Sequence, residues 1–418
     1  MLVLGPARAP QPAALDAGFA AFWAASSDKD AARAIDQIVR SGASFDDVYA
    51  KLAAGRPYSA DIPRGEFRWP LILPSGVLLP TTIVIPRDYD PRIRYPVRVY
   101  LHGGVMRESP QEGDGRAPRR RLECGGACIG VYPTGSIDAP WWTAIQIDSL
   151  DRTLVRLKRL CNVDENRVHL MGVSDGATGV YFAGLRDATP WSSLFPFNGH
   201  PRVLANPAVG ADGELFLANL ANTPLYIING GQDPMYPAAT LEPWVAALER
   251  AGAKVTFRPQ MAAGHDTLWW PAESPLVEEY ERAHPRDPLP DRLSWQTERT
   301  DRYNRFRWLI IDTLDAARAQ TPPASADDLF VHRKPSGRVD LERSGNTVQA
   351  RTRGVGAFTL LLSPSEFDFG QPIRVIVNGQ AVFDGTVRKD VATLLRWAAR
   401  DFDRTMLFGA ELKVDVPR

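Results

Sequence analysis

The segment from Arg167 to Phe182 constrains this chain more than any other. It reads Arg-Val-His-Leu-Met-Gly-Val-Ser-Asp-Gly-Ala-Thr-Gly-Val-Tyr-Phe, an apolar strand that runs into a Gly-x-Ser-x-Gly turn and a helix start. A strand that passes directly into a helix needs a cramped turn, and Gly172 and Gly176 remove the Cβ atoms that would clash there. Such a turn holds the Ser174 hydroxyl above the edge of a sheet. The pattern predicts that Ser174 is a nucleophile.

A serine hydroxyl is almost never ionised near neutral pH, so Ser174 needs a base and a carboxylate that orients the base. The chain has six histidines, which are His102, His169, His200, His265, His284 and His332. His169 falls inside the strand before the turn, which indicates a structural residue. His102 opens a His-Gly-Gly-Val loop, which suits an oxyanion site. His284 and His332 fall in Pro-rich, charged stretches typical of exposed loops.

His265 is the preferred base, and His200, another loop histidine, is the alternative. His265 follows a glycine on a loop that leaves a short predicted strand at 254–258. Asp233 ends an apolar run and is the predicted acid, although an Asp-Pro pair by itself favours only a turn. The chain order Ser174, Asp233, His265 is one that nucleophilic triads use, and the intervals leave room for helices and strands between them. We expect all three at the carboxyl ends of neighbouring parallel strands.

Two backbone segments are predicted to bind an oxyanion. The amide of Asp175 lies at a helix start, where unpaired N–H groups and the helix dipole favour negative charge. The loop Gly103-Gly104-Val105 supplies a second donor. The choice among its three amides stays open.

These motifs make the region from about 67 to 317 resemble an α/β-hydrolase, in particular bacterial carboxylesterases related to polyhydroxybutyrate depolymerases, dienelactone hydrolases and prolyl-oligopeptidase-type catalytic domains. They are Leu-His-Gly-Gly at 101–104, Gly-Val-Ser-Asp-Gly at 172–176, Gly-Gly-Gln-Asp-Pro at 230–234 and Gly-His-Asp at 264–266. One departure is that the turn continues as Gly-Ala-Thr-Gly, where such esterases commonly have a Gly-Gly run. The resemblance implies a mostly parallel central sheet flanked by helices, and acyl transfer from an ester, or less often an amide, to water.

Three functions are weighed. Hydrolysis of a small-molecule carboxylic ester through an acyl-enzyme is preferred. A serine peptidase of prolyl-oligopeptidase type is the first alternative, and a non-catalytic binding or scaffold protein on a hydrolase fold is the second. Decay to a scaffold usually erases one of the motifs, and here all of them are present.

Trp141, Trp142 and Trp269 lie close in sequence to these motifs and are predicted to contact substrate. The alternative is that they pack the surrounding loops together, since aromatic side chains serve both purposes.

Composition excludes several classes of protein. The formal net charge is zero and the charges are well mixed, so neither nucleic acid nor an anionic membrane is an expected partner. No apolar stretch approaches the length of a membrane span. Three cysteines argue against a disulfide framework, although Cys124 and Cys128 can form a small bridge in an oxidising compartment. No metal or cofactor is predicted. The start of the chain does not read as a signal peptide, which favours the cytoplasm over secretion, but a chain whose leader has been removed would read alike.

Three regions are predicted. Residues 1–57 are predicted to form a helical N-terminal appendage, which would shield the mouth of the site or dock elsewhere. Residues 58–320 are predicted to form the α/β-hydrolase domain. Residues 327–418 are predicted to form a β-rich C-terminal module with an Asn378-Gly379 hairpin and one helix at 391–400. The hydrolase domain is expected to end in a long helix over 301–314, before a linker at 321–326. The stretch 271–296, next to His265, is expected to form a lid or to contact the substrate, with a solvated surface loop as the alternative. The C-terminal module is expected to pack or to form a homo-oligomer; a carbohydrate-binding role is the alternative.

Overall fold

A mostly parallel sheet forms the centre of the computed structural model, which describes residues 12–72, 76, 78–105, 122, 124, 128–315, 317–318 and 330–417. Its strands are β1 (Gly65–Trp69), β2 (Thr81–Ile85), β3 (Tyr95–Leu101), β4 (Ile129–Pro133), β5 (Val163–Val173), β6 (Ser193–Phe197), β7 (Leu225–Gly230) and β8 (Val255–Gln260). They lie in the order β1-β2-β4-β3-β5-β6-β7-β8. Among these strands the β1–β2 and β2–β4 pairs are antiparallel, and the other neighbouring pairs are parallel.

Helices cover this sheet, as the sequence predicts. They are α4 (Ala144–Leu160), α5 (Asp175–Arg186), the short α6 (Arg202–Ala205), α7 (Ala238–Arg250) and α8 (Trp270–Ala283). Strands β4, β6 and β7 are buried at every residue, which is typical of parallel strands that helices cover on both faces. The predicted fold class is confirmed.

The N-terminal segment is helical, as predicted, and consists of α1 (Pro12–Ala24), α2 (Asp28–Arg40) and α3 (Phe45–Ala54). Ser27 caps α2 by accepting a hydrogen bond from the Asp30 amide at 3.2 Å, and Ser44 caps α3 in the same way. Ile38 and Leu52 are buried in one cluster with Leu394 and Leu395 of the C-terminal region. The appendage therefore packs on the C-terminal region, which favours the docking alternative.

Two further sheets make up the C-terminal region. The strands are β9 (Arg292–Thr297), β10 (Arg305–Phe306), β11 (Leu309–Leu314), β12 (Gly337–Ser344), β13 (Thr347–Arg353), β14 (Val355–Leu362), β15 (Ile373–Val377), β16 (Gln380–Gly385) and β17 (Ala410–Asp415), with one helix, α9 (Val391–Asp401), before β17. They form a sheet β10-β11-β14-β17 and a sheet β16-β15-β13-β12-β9. Asn378 and Gly379 both have positive φ, as the predicted hairpin turn requires.

The predicted helix over 301–314 is wrong, because this stretch forms β10 and β11. Strand β11 pairs with β14, with Leu309 opposite Leu360. A short apolar run is ambiguous between helix and strand, and here a partner strand far along the chain decided the outcome.

The stretch 271–296 is likewise neither lid nor loop, since it supplies most of α8 and of β9. Strand β9 pairs with β12, so hydrogen bonding crosses the predicted boundary at 320. The linker at 321–326 lies outside the described residues. The three-region division stays a prediction.

Polar contacts join the C-terminal region to the central sheet and its connecting segments. The Asn219 side chain donates to Gln296 O at 3.0 Å and accepts from Gln296 N at 2.9 Å, so it pairs with the backbone of β9 as a neighbouring strand would. Arg404 forms a buried ion pair with Glu165 of β5 at 2.5 Å. Charged groups buried at such a junction are costly unless they are paired.

A cavity of about 380 Å³ between α4 and the C-terminal region holds two carboxyl groups, Asp151 and Asp187, that hydrogen-bond to each other. The surrounding protein displaces bulk water, and this burial, together with the Asp187 charge, raises the pKa of Asp151 well above its usual range. A carboxyl whose pKa is raised on folding contributes stability at low pH, and that stability is lost as the pH rises through the folded-state pKa.

We therefore expect Asp151→Asn to raise the melting temperature, by an amount that grows between about pH 5 and about pH 8. The amide keeps a donor toward Asp187 and cannot ionise. Thermal melting at both pH values measures the effect. Asp36→Asn on α2, which removes an exposed ion pair with Arg40, is the control and is expected to show no such gain. A lower melting temperature for Asp151→Asn at high pH would contradict a raised pKa of Asp151 in the folded protein.

Candidate active site

The turn between β5 and α5 holds Ser174 in a strained conformation. Its φ is 58° and its ψ is −120°, a region that non-glycine residues rarely adopt. The Ser174 amide donates to Phe197 O at 3.0 Å. A Cβ on Gly172 would lie 2.3 Å from Gly176 O, and one on Gly176 would lie 1.9 Å from Leu101 O. Both glycines are therefore required by the close approach of the backbone, as the sequence predicts.

Gly176→Ala is expected to destabilise the protein by about 3 kcal/mol or more, because its methyl group would overlap the backbone of β3. Urea unfolding measures the change. Gly385→Ala is the matched control, since its Cβ would meet only Phe383 Cζ, at 3.6 Å. Equal stability of the two variants would show that the turn relaxes without cost.

Ser174, His265 and Asp233 form one hydrogen-bonded chain. His265 Nε2 lies 3.0 Å from Ser174 Oγ, and His265 Nδ1 lies 2.7 Å from Asp233 Oδ2. Asp233 is fully buried, whereas 24% of the His265 side chain is exposed. The three residues follow β5, β7 and β8, at the carboxyl edge of the sheet. The structure thus brings together the three residues that sequence reasoning selected.

Backbone contacts hold the Asp233 loop against the His265 loop. Gly231 N donates to Gln260 O at 2.8 Å, and Gln232 N donates to Ala263 O at 2.9 Å. Asp233 Oδ1 accepts hydrogen bonds from the backbone N–H groups of Met235 and Tyr236, at 2.8 and 3.0 Å. Because these amides occupy Oδ1, Oδ2 is left to face His265.

The far side of the His265 loop is anchored at the carbonyl of Asp266. This oxygen accepts from Asn198 Nδ2 at 2.5 Å and from Trp269 Nε1 at 2.8 Å. Asn198 has φ 48°, and its backbone N–H donates to Ile228 O. Asn198 is not among the residues selected from the sequence, since an Asn-Gly pair alone indicates only a turn.

The other histidines have structural surroundings. His200, the alternative base, has both ring nitrogens engaged: Nε2 lies 3.1 Å from Thr240 O, and Nδ1 accepts from Arg202 N at 3.0 Å. Burial lowers the pKa of His200. His169 is buried beside two serine hydroxyls, and burial, aided by the nearby Arg98 charge, lowers its pKa to about 3.

The two remaining loop histidines differ from each other. His284 is half-buried, stacks on Tyr280 and lies 2.8 Å from Tyr280 O through Nδ1. His332 is buried and stacks on Phe216, so its predicted exposure is wrong. Burial here comes from residues distant in the chain, which a local reading of polar neighbours does not reveal.

The predicted oxyanion loop lies directly against the nucleophile. A Cβ on Gly103 would lie 3.0 Å from Ser174 Cβ, so a glycine is needed for this approach. Gly104 has φ +69°, and His102 Nε2 accepts from Gly135 N at 3.1 Å, which ties the loop to the segment after β4.

Val105 differs from the prediction, because its amide donates to Asp175 Oδ2 at 2.8 Å. This amide is occupied by a side chain and is not a donor for an oxyanion. The Asp175 carboxylate therefore links the loop to the start of α5, a contact between residues seventy positions apart.

The three tryptophans selected as substrate contacts lie in the core. Trp141 is 2% exposed and donates to His102 O, Trp142 is 2% exposed and donates to Val209 O, and Trp269 is 7% exposed. Direct contact with substrate needs an accessible ring, so their burial favours the packing alternative. Trp141 and Trp269 instead brace the loops that carry Gly103 and His265.

Tyr236 is a second neighbour of the site that sequence reasoning missed. Its ring centroid lies 5.9 Å from that of His265. Burial raises the pKa of its hydroxyl, with the charges of Asp175 and Asp233 adding to the effect. The hydroxyl is therefore neutral near pH 7. Three residues after a predicted acid, a tyrosine carries no recognisable signal.

Other kinds of site find little support in the described part of the chain. No group of three or more His, Cys, Asp or Glu residues there has an arrangement that would hold a metal ion. Within the same residues, no helix combines the length and the apolar character needed to cross a membrane. Cys124 and Cys128 are joined by a disulfide bond.

The strand order, the strained serine turn and the placement of Ser174, Asp233 and His265 after three parallel strands define the α/β-hydrolase fold. The sequence matches no protein-family model and no curated protein.

Solved structures with similarity to the chain include two esterases and a peptidase. A thermostable esterase is 19% identical at a TM-score of 0.40, and the match covers 53% of this chain and 63% of that one, less than two thirds of its length. Esterase 2 of Thermogutta terrifontis is 16% identical at 0.40, over 52% of this chain and 94% of that one. Dipeptidyl peptidase 4 of Porphyromonas gingivalis is 14% identical at a TM-score of 0.41, and the match covers 52% of this chain and 35% of that one. Likeness at such identities concerns the fold alone.

Proposed function

We propose that this protein is a serine hydrolase that cleaves a carboxylic ester through an acyl-enzyme. The observation that carries the proposal is the unbroken chain from Ser174 Oγ through the His265 ring to the buried Asp233, with both contacts at hydrogen-bond distance. A scaffold protein would have no need to keep a strained serine in this chain.

In the proposed mechanism Ser174 Oγ attacks the carbonyl carbon while its proton passes to His265 Nε2. Asp233 stabilises the imidazolium that forms. The amides of Asp175 and of the Gly103-Gly104 segment would hold the oxyanion, since the Val105 amide is occupied by Asp175. Collapse of the intermediate breaks the ester C–O bond, and the leaving alcohol takes the proton from His265. Water then attacks the acyl carbon while His265 takes its proton. The bond between Ser174 Oγ and the acyl group breaks, His265 returns the proton to Ser174 Oγ, and the acid leaves.

Labelling with a fluorophosphonate tests this proposal, together with hydrolysis of p-nitrophenyl acetate and butyrate. We expect one label per chain, and peptide mapping should locate it on Ser174. Prior labelling should reduce the ester turnover in proportion to the fraction of chains that carry the label. A folded protein that takes up no label and hydrolyses neither ester would contradict the proposal and favour the scaffold alternative. Labelling with turnover of peptides alone would favour the peptidase.

A further inference from the structure

A groove of about 470 Å³ has Tyr236, the ring neighbour of His265, in its lining. Val203, Val209, Met235 and Tyr236 form its apolar walls. Met235 is 57% exposed, and an apolar side chain gains free energy when a ligand removes it from water. The groove thus offers an apolar surface to a ligand.

Tyr236 connects this groove to the reacting groups. Its backbone N–H donates to Asp233, and the centroid of its ring lies 5.9 Å from that of His265. The charge of Asp175, the residue after Ser174, helps to raise the pKa of its hydroxyl. Tyr236 thus borders both the groove and the groups that would react with an ester.

Most polar atoms of the groove are already used within the protein. His200 bonds through one ring nitrogen to the Thr240 carbonyl and through the other to the Arg202 amide. The Thr240 hydroxyl donates to a backbone carbonyl at 2.7 Å, and Asn206 Oδ1 accepts from an amide two residues on at 3.0 Å. These groups fix the shape of the groove and have little left to offer a ligand.

The guanidinium group of Arg202 is different. It lines the groove, its side chain is exposed, and it forms no ion pair within the described residues. No acidic residue lines the groove in that part of the chain. A guanidinium presents a planar fork of N–H donors that matches a carboxylate.

We propose that the substrate is a half-ester of an aliphatic dicarboxylic acid, whose hydrocarbon chain occupies the groove and whose free carboxylate binds Arg202. This inference rests on the proposed serine-hydrolase function and names its substrate class. Hydrolysis breaks the acyl C–O bond and releases the alcohol and the free dicarboxylic acid.

Two p-nitrophenyl esters with acyl chains of equal length test the inference: the hydrogen suberate, which ends in a carboxylate, and the octanoate, which ends in a methyl group. We expect the ratio of their kcat/KM values, suberate over octanoate, to fall about three- to fivefold in Arg202→Gln, the effect that an exposed ion pair supports. Added salt should lower the same ratio in the unmodified protein. Arg202→Lys should restore part of it, and Met235→Glu should lower it by repulsion.

Arg388→Gln is the matched control, since it removes the same charge from an exposed position outside the groove, and its ratio should equal that of the unmodified protein. If Arg202→Gln and Arg388→Gln give equal ratios while Ser174 is labelled and the octanoate is hydrolysed, the half-ester inference is overturned and the proposed function stands. If Ser174 is not labelled and neither ester is hydrolysed, both fall.

Discussion

Replacing Ser174 by alanine is expected to reduce ester turnover by about 10⁴-fold or more and to abolish fluorophosphonate labelling. The hydroxyl is the atom that would form the acyl-enzyme, and the variant leaves His265 with no proton to accept from a nucleophile 3.0 Å away. The remaining groups would still polarise a carbonyl, so a small activity above background is expected from the oxyanion donors.

The substitution is small enough to keep the fold intact. Alanine replaces serine at the same strained φ of 58°, and the backbone contact from residue 174 to Phe197 O does not involve the side chain. An unchanged melting temperature together with lost turnover would separate chemistry from folding. Ser344→Ala, which removes an exposed hydroxyl from β12, is the control and should keep full activity and labelling. Labelling that survives in Ser174→Ala would identify a different nucleophile.

Asp233→Asn is expected to lower kcat by about 10³- to 10⁴-fold, and the hydrogen bonds around this residue give the reason. Two backbone amides, those of Met235 and Tyr236, donate to one carboxylate oxygen. An asparagine must place its carbonyl oxygen there, since its NH₂ group cannot accept these bonds. The NH₂ group then points at His265 Nδ1 and donates to it.

This reversal would place the histidine proton on Nε2, the nitrogen that faces Ser174 Oγ. In that tautomer Nε2 has no lone pair with which to accept the serine proton. Steady-state hydrolysis of p-nitrophenyl butyrate measures the loss. Asp266→Asn is the isosteric control, because its Oδ1 caps the Leu268 amide and an asparagine oxygen does so equally well. A variant of Asp233 that keeps a tenth or more of the activity would show that another group orients His265.

The local features that could be predicted from the sequence are those with a short-range cause. Positions 172 and 176 need glycine because a Cβ at either would lie only 2.3 or 1.9 Å from a backbone oxygen, one in the same strand–turn–helix unit and one in the strand beside it. Strand β17 alternates buried and exposed residues along its whole length, and this period of two is visible in the sequence. The selection of Asp233 and His265 used only their positions after apolar runs and their order in the chain.

The errors share a different cause. The stretch 301–314 has an apolar run that fits either a helix or a strand, and the partner strand β14 decided for a strand. Trp141 and Trp142 lie near the site in sequence, yet their indole N–H groups donate to backbone carbonyls 39 and 67 residues away, and both rings are buried. The Val105 amide, a predicted oxyanion donor, is hydrogen-bonded to the Asp175 carboxylate seventy positions away.

The sequence by itself determined the strand–turn–helix around Ser174, the identity of the acid and base candidates, and the parallel α/β architecture. Each of these follows from backbone sterics or from the period of apolar residues, which act over a few positions. Only the tertiary structure decided that His200 is saturated by hydrogen bonds while His265 faces Ser174, that Asp175 holds the oxyanion loop, and that Tyr236 and Arg202 border one groove. Those relations depend on the distances between atoms on separate loops, and such distances are set when the sheet assembles and its helices pack on it.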